Sequence, residues 1–566
     1  MNNIADNGFH PIEDFGTEKK VVGIKGWYWR IRRSWRRSKK DRSFRNLSKA
    51  LPDWCTEVEQ ARAKKIGLDT PFKRVALFGV LQYWIEQTAL LGCTLSGYGK
   101  EICIATLPYS TPNKPMPERD IHQQEQKIQT IFRKLAPFIQ HTSLYRLVND
   151  HSDEQLPKEL EERVREISLR DVQYLLQIEE FDVTDPNSPV GRLYLLRLER
   201  NRRAMASALQ WLQQLRPDGI LIPNGSILET AVVYQVACFL GIPRVTYEFG
   251  EQQQRIWLAQ DAEVMLQETD ALWEARKEIP LTDQQWEKIR ELFSARQKAD
   301  LWQNFSRRWQ GVPSQGSQIA RQILGLDERP IALLAANVIG DSLTLDRQVF
   351  THSMTEWLIE TVKFFMNQTT AQLVVRVHPG ERYTKGPSVA LQIKQKLGEL
   401  PTQIHLVGAE DPINTYDLMG LADLGLVYTT TAGLEMAMAG VPVVVTGKTH
   451  YRQRGFTLDP QSWDEYYLIL KEHLLEQHNF NALSEEQVNI AWNYAYRFFF
   501  EYPFEFPWRL HFFKQGDVQD WSLGRVFSEE GLKKFYPALS VLSGASLDWS
   551  KLLDQPESVK VAGGIA

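Results

Sequence analysis

The sequence predicts an α/β fold that is built from two Rossmann-like units in tandem. Short apolar runs, typical of buried parallel strands, alternate with stretches of helical period. The alternation occurs in two series, which a polar stretch at residues 251–328 separates. A chain of 566 residues is also too long for one hydrophobic core. A single doubly wound domain with a helical appendage is the alternative.

The first series occupies residues 71–250 and is predicted to form one domain. The predicted strands are 74–80, 101–108, 217–226 and 242–250. The predicted helices are a stretch ending near residue 92, then 191–215 and 227–241, with a charged, helical insertion over the sheet at 121–180. Because strands and helices alternate, the crossovers should be right-handed and the sheet parallel.

The second series occupies residues 329–460 and is predicted to form a separate domain with its own sheet. Its predicted strands are 330–338, 371–378, 403–408, 421–428 and 441–447, with a helix at 355–368. The stretch 251–328 shows no strand pattern, so it is predicted to be a helical connection. Residues 461–566 are aromatic and helical in period, which predicts a helical tail.

Residues 1–70 are predicted to form a basic, aromatic arm. Ten basic side chains and one acid lie between Lys25 and Arg45, interleaved with tryptophan and tyrosine. This composition suits the headgroup region of an anionic membrane, so residues 25–45 are predicted to bind such a surface. A structural arm and a nucleic-acid-binding segment are the alternatives. The net charge of -4 gives no general reason to expect nucleic acid as a partner.

Cysteine usage and hydropathy predict the compartment. The four cysteines are scattered, which favours a reducing environment over a disulfide framework or a zinc site. The first residues lack the pattern of a secretory signal, and no apolar run approaches the roughly 20 residues that span a bilayer. The protein is therefore predicted to be cytoplasmic and peripheral at the inner face of the plasma membrane.

Polar residues follow the predicted strands of the second series, where open parallel sheets bind ligands. The candidate ligand-binding residues at these strand ends are Asn337, Asp341 and Ser342; Arg376, His378, Pro379 and Glu381; Thr429, Thr430, Thr431, Gly433 and Glu435; and Lys448 and His450. Hydroxyls, basic groups, an imidazole and glycines are the groups that bind anions. The inventory therefore predicts a phosphate-bearing ligand at this edge.

Two of these segments have specific expectations. The threonines stand between a strand and a helix, where backbone N–H groups and hydroxyls can bind an anion, Gly433 leaves room for a ligand, and Glu435 can accept hydrogen bonds from ribose or sugar hydroxyls. A simple threonine cap is the alternative. His378 can donate a hydrogen bond to a phosphate oxygen as charge grows on it, or it can be an ordinary turn residue.

Three segments carry a family resemblance. "NVIGDS", "VVRVHPGE" and "YDLMGLADLGLVYTTTAGLEMAMAGVPVVVTGKTHYRQRGFTLDP" resemble the bacterial capsular polysaccharide biosynthesis family, which is similar in turn to the Kdo transferases. The resemblance covers roughly residues 330–460 and reaches more faintly to "PNGS" and "YEFG". It implies a GT-B-like fold, in which two Rossmann-like domains face a cleft.

The resemblance also implies roles. His378 and Pro379 would bind the donor phosphate, and the 429–435 segment would form the nucleotide-sugar pocket. Residues Asn224, Gly225 and Ser226 would meet a glycan or glycolipid acceptor, with Glu248 as the catalytic base. No aspartate–x–aspartate metal site matches, so neither a metal nor a cofactor is expected. The implied function is glycosyl transfer to capsular or other surface polysaccharide at the cytoplasmic face; an epimerase of the same fold and a non-catalytic export scaffold are alternatives.

Overall fold

A computed structural model describes residues 44–149, 156–250, 252–299, 312–384, 386–474 and 482–551. The arm predicted at residues 25–45 lies outside the described residues, except for its last two positions. The compact unit that begins at Leu51 contains both sheets. In the described part of the chain, no helix is long and apolar enough to cross a membrane.

The strands form two separate sheets. Their bounds are β1 Arg74–Gly79, β2 Glu101–Thr106, β3 Ile139–Ser143, β4 Gly219–Pro223, β5 Arg244–Glu248, β6 Arg255–Gln260, β7 Ile331–Ala335, β8 Gln372–Arg376, β9 Ile404–Val407, β10 Leu424–Val427, β11 Val443–Val445 and β12 Phe504–Glu505. The first sheet has the order β12-β6-β5-β4-β1-β2-β3, and the second has the order β11-β10-β7-β8-β9. The α/β class with two sheets is therefore confirmed.

Both sheets repeat one Rossmann-type strand order. In the first sheet β1 lies between β2 and β4, and in the second β7 lies between β8 and β10. All pairings among the first five strands of each series are parallel. The chain order therefore reverses between β1 and β4 and again between β7 and β10. Crevices at such reversals are where open parallel sheets bind ligands.

The prediction that residues 251–328 contain no strand is wrong. Strand β6 lies in that stretch and pairs antiparallel with β5. Two further strands were missed, β3 within the predicted insertion and β12 within the predicted helical tail. All three lie toward the outside of the first sheet. They are short or half-buried, so they lack the continuous apolar pattern that identified the central strands.

Helices cover the sheets and form most of the connections. Their bounds are α1 Arg45–Ala63, α2 Leu81–Gly97, α3 Glu118–Lys134, α4 Leu144–Asn149, α5 Lys158–Leu176, α6 Pro189–Leu215, α7 Leu228–Phe239, α8 Asp270–Arg276, α9 Asp283–Gln297, α10 Ser317–Leu324, α11 Met354–Asn367, α12 Val389–Leu397, α13 Thr415–Met419, α14 Ala432–Met438, α15 Trp463–Leu474, α16 Glu485–Tyr496, α17 Phe512–Gln515, α18 Asp517–Asp520, α19 Leu523–Val526 and α20 Glu529–Leu542.

The tail after residue 461 contacts both halves of the molecule. Helix α16 packs against α14, which follows the second sheet's β10. A π-helical turn at Arg497–Glu501 follows, and β12 then pairs with β6 of the first sheet. The Phe498 side chain of the π turn stacks on His450 of the second half. The tail therefore links the two sheets.

A buried ionic network joins α5, α6 and α7. The Arg197 guanidinium lies 3.0 Å from the Asp171 carboxylate and 2.9 Å from that of Glu229, and the exposed fraction of all three side chains is at most 2%. The Asn201 amide donates a further hydrogen bond of 2.8 Å to Asp171. Buried charges are tolerated only when paired in this way. The network fixes α5 against α6 and α7.

Replacing Arg197 by alanine should lower the free energy of unfolding by about 3–5 kcal/mol, because two buried carboxylates lose their cation. Arg163→Ala is the control: Arg163 pairs with Glu166 on the exposed surface of α5, so its loss should cost less than about 1 kcal/mol. Urea unfolding followed by circular dichroism measures both. Equal stabilities for the two variants would contradict the importance of the network.

Candidate functional site

The loops after β7 and β10 meet at the reversal point of the second sheet. The Thr429 backbone N–H donates to Oδ1 of Asn337 over 3.2 Å, and the Thr429 hydroxyl donates to the Leu343 carbonyl over 3.1 Å. Two residues predicted separately from two strand ends are thus in direct contact. They hold the polar ends of neighbouring strands together.

The threonine segment makes one long side-chain hydrogen bond to the start of α14. The Thr430 hydroxyl accepts from the Ala432 N–H over 3.4 Å, whereas the Thr431 side chain makes no capping hydrogen bond. Gly433 was expected to leave room for a ligand, but a Cβ there would lie 2.4 Å from the Tyr451 hydroxyl. That hydroxyl donates to the Thr430 carbonyl over 2.6 Å. Close packing of Tyr451 therefore explains the glycine.

His378 has a fixed orientation. It lies two residues beyond β8, at the start of a 3₁₀ turn that spans Pro379–Tyr383, and its Nδ1 accepts a hydrogen bond of 3.0 Å from the Gly380 N–H. An imidazole whose Nδ1 accepts carries its proton on Nε2 when neutral. The side chain is partly exposed. The turn therefore holds the ring, with its proton on Nε2 when neutral, at the carboxyl end of a central strand.

Arg376 and Glu381 flank this histidine, and both are buried. The Arg376 guanidinium donates to the Gly408 carbonyl over 2.5 Å, and burial lowers its pKa to about 10. The Glu381 carboxylate accepts from the Val389 N–H over 3.0 Å, and burial raises its pKa to about 7. In the structure both side chains hold neighbouring loops in place.

Glu435 and His450 lie beneath the tail. The Glu435 carboxylate pairs with Arg296 of α9 over 2.7 Å, and both side chains are at most 5% exposed. The His450 ring stacks on Phe498 with 3.6 Å between centroids, and burial lowers its pKa well below the usual value. Phe499, the next residue of the π turn, lies under the Arg296 guanidinium. The turn thus supports both candidates.

The remaining second-half candidates lie in the loops after β7 and β11. Oδ1 of Asp341 accepts hydrogen bonds from the Ser342 hydroxyl over 3.2 Å and from the Leu343 N–H over 3.1 Å. Burial raises the pKa of the Asp341 carboxyl. Lys448 is exposed, and its backbone N–H donates to the Arg347 carbonyl. Its ammonium group is available to solvent.

Glu248 ends β5 at the same edge of the first sheet as the neighbouring Asn224. The Asn224 amide donates to one Glu248 oxygen over 2.9 Å, and the Phe249 N–H donates to the other over 3.0 Å. Burial raises the pKa of Glu248 to about 7 despite these two bonds. A carboxylate with this pKa exchanges protons readily near neutral pH, as a general base must.

Three residues near the reversal point of the first sheet have positive φ angles, and two of them are leucines. Leu81, Asn224 and Leu228 have φ angles of 59°, 60° and 55°, in the left-handed region that bulky residues avoid. Leu81 lies two residues after the end of β1, and the other two flank the turn after β4. Such strain commonly marks functional sites. The side-chain oxygen of Asn224 also accepts a hydrogen bond of 3.1 Å from the Ser226 N–H, which stabilises this turn.

Helix α5 connects the two reversal points. Arg170 donates to the Ser226 carbonyl over 2.9 Å, and Asp171 accepts from the Leu228 N–H over 2.6 Å. At the C-terminal cap of the same helix, Gly340 packs so closely on Gln177 that a Cβ on the glycine would lie 2.8 Å from the Gln177 Cα. The predicted insertion therefore contacts the loops at the carboxyl ends of strands in both sheets.

Sequence reasoning missed two tyrosines in this region. The pKa of Tyr83 is raised by burial, then by Tyr174 and Glu248, and the pKa of Tyr174 is raised by burial, then by Asp341 and Glu248. Glu248 of the first half therefore influences both phenols, and Asp341 of the second half influences Tyr174. Tyr83 stands four residues after β1, so its position near a strand end was the available signal.

Comparison with known proteins agrees with the resemblance seen in residues 330–460. Residues 320–482 match the family model described as capsule polysaccharide biosynthesis protein. No curated protein matches the sequence.

Three of the solved structures that match parts of this chain are named enzymes. One is KpsC, the beta Kdo 2,4 transferase of Thermosulfurimonas dismutans, at 13% identity and a TM-score of 0.31, over 49% of this chain and 79% of that one. The calicheamicin glycosyltransferase CalG4 matches at 12% identity and a TM-score of 0.25, over 80% of this chain and 99% of that one. The UDP-GlcNAc 2-epimerase of Neisseria meningitidis matches at 12% identity and a TM-score of 0.22, over 76% of this chain and 99% of that one.

Glu248→Gln should make the protein more stable than wild type at pH 8, by about 1–3 kcal/mol. The pKa of Glu248 is about 7 in the folded protein, whereas an unperturbed glutamate has a pKa of 4.5. Ionisation of the carboxyl as the pH rises through this interval therefore destabilises the folded state. Glutamine cannot ionise. The advantage should shrink as the pH falls from 7 and vanish well below pH 4.5, where the carboxyl is protonated in both the folded and the unfolded state.

Urea unfolding across this pH range measures the difference. The exposed Glu59, changed to glutamine, is the matched control and should leave the wild-type profile in place. A Glu248→Gln advantage that stays constant with pH would show that the carboxyl does not titrate in this interval.

Proposed function

We propose that the protein is a glycosyltransferase that moves a sugar from a nucleotide-sugar donor to a capsular or other surface polysaccharide. The observation that carries the proposal is the fixed Nε2–H of His378 at the carboxyl end of β8. This residue lies inside the segment that matches the capsule polysaccharide biosynthesis model. The donor would bind at the second sheet's reversal point and the acceptor at that of the first.

In the proposed reaction an acceptor hydroxyl attacks the anomeric carbon of the donor sugar. Glu248 takes the hydroxyl proton, and the bond between the anomeric carbon and the phosphate oxygen breaks. The nucleotide departs with the bonding electron pair, so negative charge grows on that oxygen. His378 donates its Nε2–H to the oxygen, which stabilises this charge. A Glu248 pKa of about 7 leaves a useful fraction of base at neutral pH.

The buried partners found for Glu435 and His450 favour a supporting role for these residues under the donor loops. Arg296 fixes the Glu435 carboxylate, and Phe498 fixes the His450 ring. Asn337 and Thr429 would then provide the polar surface of the donor site, together with His378. Lys448 would meet the phosphate charge from the loop after β11.

A panel of CMP-, UDP- and GDP-sugars, with and without purified surface polysaccharide, tests the reaction class. We expect nucleotide release from one donor, accelerated when the polysaccharide is present. Conversion of the donor sugar without any acceptor effect would instead indicate an epimerase. Absence of turnover with every donor would favour the export scaffold and contradict the proposal.

His378→Ala should lower turnover about 10²–10³-fold with little change in donor affinity, because the lost hydrogen bond strengthens only in the transition state. His378→Asn is the matched variant, since an asparagine oxygen can accept the Gly380 N–H and keep the turn while lacking the Nε2–H donor. Steady-state kinetics should show the same loss for both variants. Full turnover in a folded His378→Asn protein would rule out the assigned role.

We further propose that residues 25–45 hold the protein at an anionic membrane surface, where surface polysaccharide is assembled. Replacing Arg32, Arg33, Arg36 and Arg37 by alanine should move the protein from the membrane fraction to the soluble fraction, because each basic residue contributes about 1 kcal/mol near such a surface. Cell fractionation with immunoblotting measures this. Lys64→Ala/Lys65→Ala, outside the segment, should stay with the membrane; a soluble wild type would contradict the proposal.

A further inference from the structure

Strand β3 ends the first sheet, with β2 on one side. Among the described residues, no strand pairs with its other side. The backbone N–H and C=O groups of such an edge can pair with an added strand. Extended peptides bind to proteins in this way, because main-chain hydrogen bonds continue the sheet.

The directions of the backbone groups show which part of β3 faces outward. The Glu101 N–H donates to the chain at β1, so the next residue, Ile102, faces β3. Ile102 lies opposite Ile139 and bonds to the residues on either side of it, so Gln140 faces β2. The N–H and C=O of His141 therefore point away from the sheet. The Ile139 N–H agrees with this alternation, because it donates to a carbonyl at the end of α3.

A groove of about 1000 Å³ is lined by every residue of β3. It extends past both ends of the strand, since residues 136–138 line it before β3 and Arg146 and Leu147 of α4 line it after. Its volume is within the usual range for ligand sites. The buried Ser143 hydroxyl in its lining has no hydrogen-bond partner. An extended segment can therefore lie beside β3 over its full length.

The groove is positively charged. The one acidic residue in its lining, Glu101, is paired with Arg74 over 2.8 Å. The His141 imidazole adds no charge at neutral pH, because burial and the nearby Arg146 lower its pKa to about 4. The basic residues of the lining are Arg62, Lys100, Arg133 and Arg146.

The contacts of these basic groups leave most of the charge uncompensated. Arg62 donates to two backbone carbonyls, over 3.0 and 3.4 Å, and Lys100 donates to a carbonyl over 2.9 Å and to a threonine hydroxyl over 2.7 Å. All four acceptors are neutral. Arg146 lies 3.5 Å from the Glu125 carboxylate, yet its side chain is 60% exposed. Arg133 is exposed at the end of α3.

This charge distinguishes between occupants of the groove. A second copy of the chain, paired through β3 about a twofold axis, would place two sets of these cations at one edge, where they repel each other. An acidic strand is attracted instead. Residues 150–155 contain three acids and lie outside the described residues, so a variant without these acids belongs in the test.

We propose that the groove beside β3 binds an extended, acidic segment of a partner protein, which adds a strand to the first sheet. The backbone of the segment pairs with His141, and its carboxylates lie against Arg133 and Arg146. The proposal goes beyond the proposed function. Strand β2 lies between this groove and the reversal point of the first sheet, so binding here requires neither donor nor acceptor.

Two peptides of about eight residues, a usual strand length, test the proposal: one alternates glutamate with valine, and the other alternates lysine with valine. Both carry fluorescein, and fluorescence anisotropy measures their binding to the full chain. We expect the glutamate peptide to bind at least about tenfold more tightly than the lysine peptide. Its binding should weaken as salt is added, because salt screens the attraction.

N-methylated forms of the glutamate peptide test the strand pairing separately from the charge. Methylation of alternate residues leaves one backbone edge free, so binding should be retained. Methylation of every residue blocks both edges without changing the charge, so binding should be lost.

Variants assign the binding to the groove. Arg133→Glu should weaken binding of the glutamate peptide about tenfold. Arg119→Glu is the matched control, because Arg119 is exposed near the other end of α3, outside the groove, and this variant should bind like wild type. The variant with Asp150→Asn, Asp153→Asn and Glu154→Gln should bind at least as tightly as wild type. Circular dichroism checks that each variant is folded.

If the basic side chains only keep other strands away from the edge, neither peptide binds the wild type, and that result would overturn the proposal. Equal binding of the two peptides, or binding that survives full N-methylation, would also overturn it. So would wild-type binding by folded Arg133→Glu. Binding that appears only when the acids of residues 150–155 are removed would assign the groove to this chain and contradict a partner protein.

Discussion

The reversal of chain order between neighbouring parallel strands is the constraint on which the rest of the structure depends. At β7 and β10 the two connections leave in opposite directions, so the strand ends stay uncovered by their own helices. The exposed polar ends must then be held by side chains, as the Thr429 N–H and Asn337 hold each other. The first sheet repeats this arrangement at β1 and β4. Each half therefore offers one open, polar edge.

Helix α5 and the tail both connect the two halves. Asp171 of α5 pairs with Arg197 and also accepts from the Leu228 N–H, so the buried network and the first strained turn share one carboxylate. At its end the same helix meets the loop after β7 at Gly340. The π turn of the tail supports Arg296 and His450 before β12 joins the first sheet. Both connections carry stabilising contacts and also position candidate site residues.

The sequence predicted the central strands well because strands buried on both faces are continuous apolar runs. It missed β3, β6 and β12, since outer strands that are short or half-buried lack that pattern. It also predicted which strand ends are polar, and the Asn224–Glu248 contact follows from the pairing of β4 with β5. The partners of Glu435 and His450 could not be predicted from the sequence. Arg296 is 139 residues away, and no local pattern shows that a distant arginine or phenylalanine will pack there.

The central claim is that a nucleotide-sugar binds at the carboxyl edge of the second sheet. Hydrogen–deuterium exchange of the full chain, with CMP, UDP and GDP added separately, tests it most directly, because a bound phosphate protects the amides that contact it. We predict protection by one nucleotide at residues 337–344, 378–384 and 429–433, with no change in the loops after β1 and β4. Protection confined to the first sheet's loops, or none with any nucleotide, would contradict the claim.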